Sequence, residues 1–209
     1  MSSSNTPIAT PEKRRDAGFS LVELMIVLVI LPFVLSAAYL VFVTLSGNYS
    51  TIAAQSEATS EAQRALDILV REVRQGREIT RGGGAIETAA PDRCSFYADI
   101  NHDGLPERVT YYVDGTDLYR MVGLPANPVY PYGFVDGVAE RMVNLTTSSA
   151  VVFTYYDQAA PEVPATNPVP SQITAVGVHL SASRPAQNGQ VAVDFMTKVK
   201  IRAMFNSLS

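Results

Sequence analysis

The sharpest change in the pattern of polar and apolar positions lies near the N-terminus. Residues 1–18 are polar, with Pro7, Pro11 and the basic cluster Lys13-Arg14-Arg15. From Phe19 to Val43 the chain is almost wholly apolar: FSLVELMIVLVILPFVLSAAYLVFV. As a helix this stretch reaches about 37 Å, enough to cross a hydrocarbon core of about 30 Å. The basic cluster stays on the cytoplasmic side, which places the C-terminal part outside it. A secretory signal peptide fits poorly, because its apolar region is shorter and its small-residue cleavage site follows that region. Here the small residue, Gly18, comes first. A plain signal anchor explains the length and the flanking charges but leaves Glu23 unexplained. A carboxylate near the membrane centre costs about 2.5–3.5 kcal/mol, less close to a helix start, and it needs a partner in either place. Pro32, inside the run, predicts a kink or local melting.

Beyond Val43 the sequence turns polar and stays helical in character. Residues 44–60 are small and polar, with Gly47 as the weak point. Ala62, Leu66, Leu69 and Val73 then recur at spacings that define one helix face. Asp67 and Arg71 stand one turn apart on the wet side. The pattern predicts a helix from about Ser20 to about Gln75, roughly 80 Å long, stopped by Gly76 and Gly82-Gly83-Gly84. Candidate strands follow at Cys94–Ile100, Arg108–Val113, Leu118–Val122, Ala150–Tyr156, Ile173–Ala182 and Val191–Ala203. The last alternates cleanly, with Val191, Val193, Phe195, Val199 and Ile201 opposed to Asp194, Lys198, Lys200 and Arg202. Asp114-Gly115 marks a hairpin turn. The Pro-rich stretches Gly123–Gly137 and Asp157–Ser171 read as long loops. The class is α+β, one long N-terminal helix followed by an antiparallel sheet. It divides into a leader (1–18), a membrane helix (19–43), an amphipathic helix continuing into the head (44–80) and a β head (81–209).

Composition narrows the chemistry. The chain has 209 residues, enough for one or two domains. Its net charge of -4 speaks against a nucleic-acid partner. No surplus of positive charge hides in the body, since the basic cluster sits in the leader. Arg71, Arg74 and Arg77 form a stripe interrupted by Glu72 and Glu78, which reads as a solvated face. The single cysteine, Cys94, cannot close an intramolecular disulfide and reads as a buried, inert thiol. His102 and His179 make no metal-ligand pattern with it. His179 falls opposite Val176, Val178 and Leu180, so it reads as a rim residue. Motifs for nucleophilic or phosphate chemistry are lacking, and no catalytic residue is assigned.

One segment has cation-binding chemistry. Asp99-Ile100-Asn101-His102-Asp103-Gly104-Leu105-Pro106-Glu107 places oxygen ligands at alternate positions around a turn that Gly104 permits. Asp99, Asn101, Asp103, the Leu105 carbonyl and Glu107 can converge on Ca2+. A full EF-hand is ruled out because its twelfth position is Thr110. The competing reading is a polar β-turn, in which Asp, Asn and Gly are common anyway.

The run Gly18-Phe19-Ser20-Leu21-Val22-Glu23-Leu24 resembles the class III leader junction of type IV prepilins. The resemblance implies a pilin fold, cleavage after Gly18 by a prepilin peptidase and methylation of the new N-terminal Phe19. It also implies that Glu23 meets the N-terminal amine of a neighbouring subunit. Stranding one partner of such a buried pair costs about 3–5 kcal/mol, so the pair can fix register between subunits. Pro32 departs from the family, where a helix-softening proline comes later in the segment. In the head, RALDILVREVRQ, VTYYV, LYRMV and VVFTYYD are similar to J-type minor pseudopilins of type II secretion and W-type minor pilins of type IV pili. The likeness spans most of residues 18–205 and does not separate the two systems. Glu23 sets the chain apart from the tip pseudopilin that lacks this acid and places it just beneath. The implied partners are the peptidase, other minor and major pilins or pseudopilins, an inner-membrane assembly platform, and the bilayer before assembly. The implied location is the inner membrane, single-pass, with the head extracytoplasmic, and the implied role is structural rather than enzymatic. Two alternatives stay open: an adhesin or DNA-uptake minor pilin, and a single-pass anchored β domain with a sensing or enzymatic role.

Overall fold

A computed structural model describes residues 20–80, 82–146, 152–186 and 189–202. Two compact units divide between Ser46 and Gly47. The leader with Gly18 and Phe19, the first residues of the expected strand Ala150–Tyr156, and Ala203 lie outside the described residues.

Helix α1 spans Leu21–Arg74, close to the expected bounds. It runs unbroken through Pro32, so the expected local melting does not occur. Proline forfeits one backbone bond, and cooperative propagation through the flanking turns outweighs that loss. Gly76, rather than the later glycine run, sets the end. Gln75 N–H donates to the carbonyls of Arg71 at 3.2 Å and Glu72 at 3.0 Å, and Gly76 N–H donates to that of Val73 at 3.0 Å. These bonds tighten the last turn and satisfy terminal carbonyls. A Cβ at Gly76 would stand 2.9 Å from the Val73 oxygen and 3.1 Å from Ile201 Cγ2. With no side chain there, the backbone pairs with Ala98 as an isolated bridge. Residues 75–80, included in the segment 44–80, therefore lie outside the helix, which ends close to the expected Gln75.

The β part is two antiparallel sheets where the sequence suggests one. The first holds β1 (Ile86–Ala90), β2 (Arg93–Ala98), β3 (Glu107–Asp114), β4 (Asp117–Pro125) and β5 (Phe134–Asp136) in that order, with β6 (Glu140–Asn144) also paired to β4. The second holds β7 (Phe153–Asp157), β8 (Ile173–Ala186) and β9 (Gly189–Lys200). The expected strands appear with shifted ends, while β1, β5 and β6 are additions. β5 lies inside the stretch Gly123–Gly137 read as loop, held by pairing of Gly123, Leu124 and Pro125 with Asp136, Val135 and Phe134. The β3–β4 hairpin closes at Asp114 opposite Asp117, with Gly115 at φ 60° in the tight turn. The sheets meet through a bridge between Leu145 and Ala182 and a bond from Thr146 N–H to the Ser181 carbonyl at 2.7 Å.

The head core is one contiguous cluster under the second unit's part of α1. That helix buries Ala54, Ala58, Ala62, Ala65, Leu69 and Val73. The stripe is phased slightly differently from the expected face: Ala65 is buried and Leu66 packs at its margin. Because the helix contributes mostly alanine, the bulk comes from the sheets, from Phe96, Tyr111, Leu118, Phe153 and Leu180. β9 follows its expected alternation, with Val199 and Ile201 buried and Lys198 and Lys200 exposed.

Candidate functional site

The first unit offers one kind of surface. Every residue from Ser20 to Leu45 is exposed, including Leu21 at 75% and Phe33 at 74%. A helix apolar around its whole circumference needs lipid or other helices as its environment. It is also long and apolar enough to cross a membrane. Glu23 lies in its first turn, where the N-terminal end of the helix dipole favours a negative charge. Among the described residues no ion pair involves Glu23.

In the second unit the acidic loop joins β2 to β3. Two residues take left-handed backbone, His102 at φ 63° and Gly104 at φ 89°, which lets the chain fold back sharply. Short-range bonds hold the turn: Asp103 N–H to Asn101 Oδ1 at 2.9 Å, Leu105 N–H to Asp103 Oδ1 at 2.7 Å, and Gly104 N–H to Asp99 Oδ2 at 3.1 Å. The Asn101 amide also donates to Asp103 Oδ2 at 2.9 Å. As a result, one carboxylate oxygen each of Asp99, Asp103 and Glu107 lie within 4.8 Å of one another. Of the residues singled out in the sequence, these three converge. Asn101 is engaged in closing the turn, and Leu105 enters through its N–H. Thr110, at the twelfth position, is buried against Ser95 Oγ at 3.0 Å.

Glu107 is the innermost of the three, 1% exposed. Its Oε2 accepts Ile100 N–H at 2.9 Å, while Oε1 is buried without a partner, as is Asp99 Oδ1. Burial raises the Glu107 pKa, the Ile100 N–H opposes the rise, and the charges of Asp103 and Asp99 add to it. Arg77 borders the loop, with Nη1 3.5 Å from Asp99 Oδ2 and Nη2 donating to the Gly104 carbonyl at 2.8 Å. The sequence places Arg77 in a solvated helix stripe. It lies past the helix end, with its backbone N–H on the Tyr97 carbonyl at 2.8 Å.

Glu72 also departs from the solvated-stripe reading. It is buried on the core face, accepting from Tyr111 Oη at 2.6 Å and from Arg120 Nε and Nη2 at 3.0 and 2.5 Å. The signal was its spacing of three from Leu69, which puts it on the buried side of the helix. Cys94 is buried as expected, and burial pushes its thiol up to about 12, so it stays protonated and unreactive. His179 is half-buried at the rim, Nε2 3.6 Å from Asp194 Oδ1.

Residues 13–39 match the family described as the prokaryotic N-terminal methylation motif. No curated protein matches the chain. The match supports a type IV pilin-like prepilin that is processed by a prepilin peptidase. Its single N-terminal apolar helix fits a membrane anchor. The chain thus carries the type IV prepilin signature on a long N-terminal helix followed by antiparallel sheets, an α+β pilin-like architecture.

Proposed function

We propose that this chain is a minor pilin or pseudopilin, clipped after Gly18, methylated at Phe19 and assembled near the tip of a type IV pilus-like filament. Before assembly the apolar helix spans the inner membrane with the head extracytoplasmic. During assembly it exchanges lipid for the helices of neighbouring subunits. The observation that carries this reading is Glu23, a carboxylate in the first turn of a helix whose stretch up to Val43 is otherwise almost wholly apolar and exposed on all sides. The amine freed at Phe19 of a neighbouring chain neutralises it, so only the correct axial register removes the cost of an unpaired charge in an apolar bundle. The β head packs against other minor subunits on the assembly platform and helps initiate the filament.

Intact-mass analysis of the chain purified from membranes tests the processing step. The expected result is loss of residues 1–18 and one methyl group on the Phe19 nitrogen. A chain that keeps Met1 is a plain anchor and overturns the proposal. For the register step, Glu23→Gln should insert in the membrane but be missing from sheared filaments. Undiminished incorporation of that variant refutes the role of Glu23.

A further inference from the structure

We propose that the β2–β3 loop of the head is a calcium site, with Asp99, Asp103 and Glu107 as its carboxylate ligands. The inference does not rest on the filament reading. A cluster of acids in a turn is ordinary on a protein surface. Here the inner acid is not on the surface: Glu107 is 1% exposed, and its Oε1 is buried with no partner. Burying a polar atom without a hydrogen bond is costly, and more so for a carboxylate beside two others. Asp99 Oδ1 is orphaned in the same way. A cation between them supplies the missing partner to both.

The charge and spacing fit a divalent ion. Three carboxylates face one guanidinium, that of Arg77 at 3.5 Å from Asp99, which leaves two negative charges unbalanced. Oxygens bound at about 2.3–2.6 Å to one calcium stand up to about 5 Å apart, and the three carboxylates satisfy that limit at 4.8 Å. All the donors are hard oxygens, and calcium tolerates an irregular shell where magnesium demands near-ideal octahedral geometry. Asn101 Oδ1 and the Leu105 carbonyl are the further oxygens the turn can present. Bound there, calcium would tie the start of β3 to the end of β2 and, through Arg77, to the segment leaving α1.

The test is isothermal titration of the full-length chain in detergent micelles, stripped with chelator and titrated with calcium chloride or magnesium chloride. The expected result is saturable binding of one calcium per chain, a raised unfolding temperature in calcium, and at least tenfold weaker magnesium binding. Asp103→Asn keeps the acceptor for Leu105 N–H, so the turn folds, but it removes one charge. It should weaken calcium binding at least tenfold, and Glu107→Gln should do the same. Three results overturn the site: no calcium heat in a chain that unfolds cooperatively, equal affinity for the two metals, or calcium affinity in Asp103→Asn within tenfold of the unaltered chain.

Discussion

The buried ion pair between α1 and β4 allows a sharp test of what fixes the helix on the sheet. Arg120→Ala removes the guanidinium from Glu72, whose side chain is 5% exposed. The carboxylate keeps only the Tyr111 hydroxyl at 2.6 Å. Removing one partner of a buried pair costs about 3–5 kcal/mol. The remaining charge-assisted bond from Tyr111 argues for the lower end, about 3 kcal/mol. For a domain of this size that lowers the melting temperature by roughly 6–12 °C. The assay is urea unfolding of the full chain in micelles, followed by circular dichroism of the β signal. Glu72→Leu, Arg120→Met and Tyr111→Phe combined remove the charges and the hydroxyl together. Such replacements of a buried ionic group are often close to neutral, so the triple variant should be more stable than Arg120→Ala alone. An Arg120→Ala variant within about 0.5 kcal/mol of the unaltered chain, or a triple variant that loses the sum of its single losses, refutes the reasoning.

Three further outcomes follow from packing and titration. Gly84→Ala should lose at least about 2 kcal/mol in the same urea assay, because Gly84 sits at φ 75° and a Cβ there would stand 2.8 Å from Ser171 Cα and 2.9 Å from the Pro170 oxygen. Leu69→Ala, at a fully buried position of the helix stripe, should lose about 2–5 kcal/mol. Cys94 gives an alkaline limit: its thiol moves from 9.0 in the open chain to about 12 in the fold. Between those values the folded state holds a proton that the unfolded state releases, so stability falls as pH rises, by about 1.4 kcal/mol per pH unit. Cys94→Ala should flatten that decline in urea midpoints measured from pH 8 to pH 10.5, and an unchanged slope would contradict it. Buried Tyr111 and Tyr155, both raised chiefly by burial, extend the decline in both proteins above pH 10.

Much of the fold was legible because the signals were local. The bounds of α1 followed from an uninterrupted apolar and then periodic pattern ending at Gly76, and β9 from strict alternation. What escaped depended on distant partners. β5 has three residues and exists because β4 offers an edge beside a Pro-rich loop. β1, with sequence IETAA, is weak in strand character and is held by pairing to β2. The division into two sheets depends on which strands pair across long stretches of sequence, which no local pattern encodes. In the acidic loop the residue spacing predicted convergence of the carboxylates. That Glu107 would be the buried one followed only once β3 was seen to carry it into the sheet opposite Ala98.

Two glutamates on one helix show where that boundary falls. Glu23 stood out because its neighbours on all sides are apolar, so any environment that suits them penalises it, whatever the rest of the chain does. Glu72 sits among Arg71, Arg74 and Asp67, and its sequence neighbourhood describes a wet surface. Its burial is set by helical phase relative to Leu69 and Val73. Its neutralising partners come from residues 39 and 48 positions away. Within the chain's own fold, therefore, Glu72 is matched by groups that the fold brings to it, whereas Glu23 lacks an ion-pair partner among the described residues. In the proposed filament reading the partner of Glu23, in the apolar stretch of the same helix up to Val43, arrives from a neighbouring chain. Glu72 thus serves as an internal control for Glu23. Charge removal at Glu72 should appear in monomer stability. At Glu23 it should leave monomer stability unchanged and appear only when subunits associate.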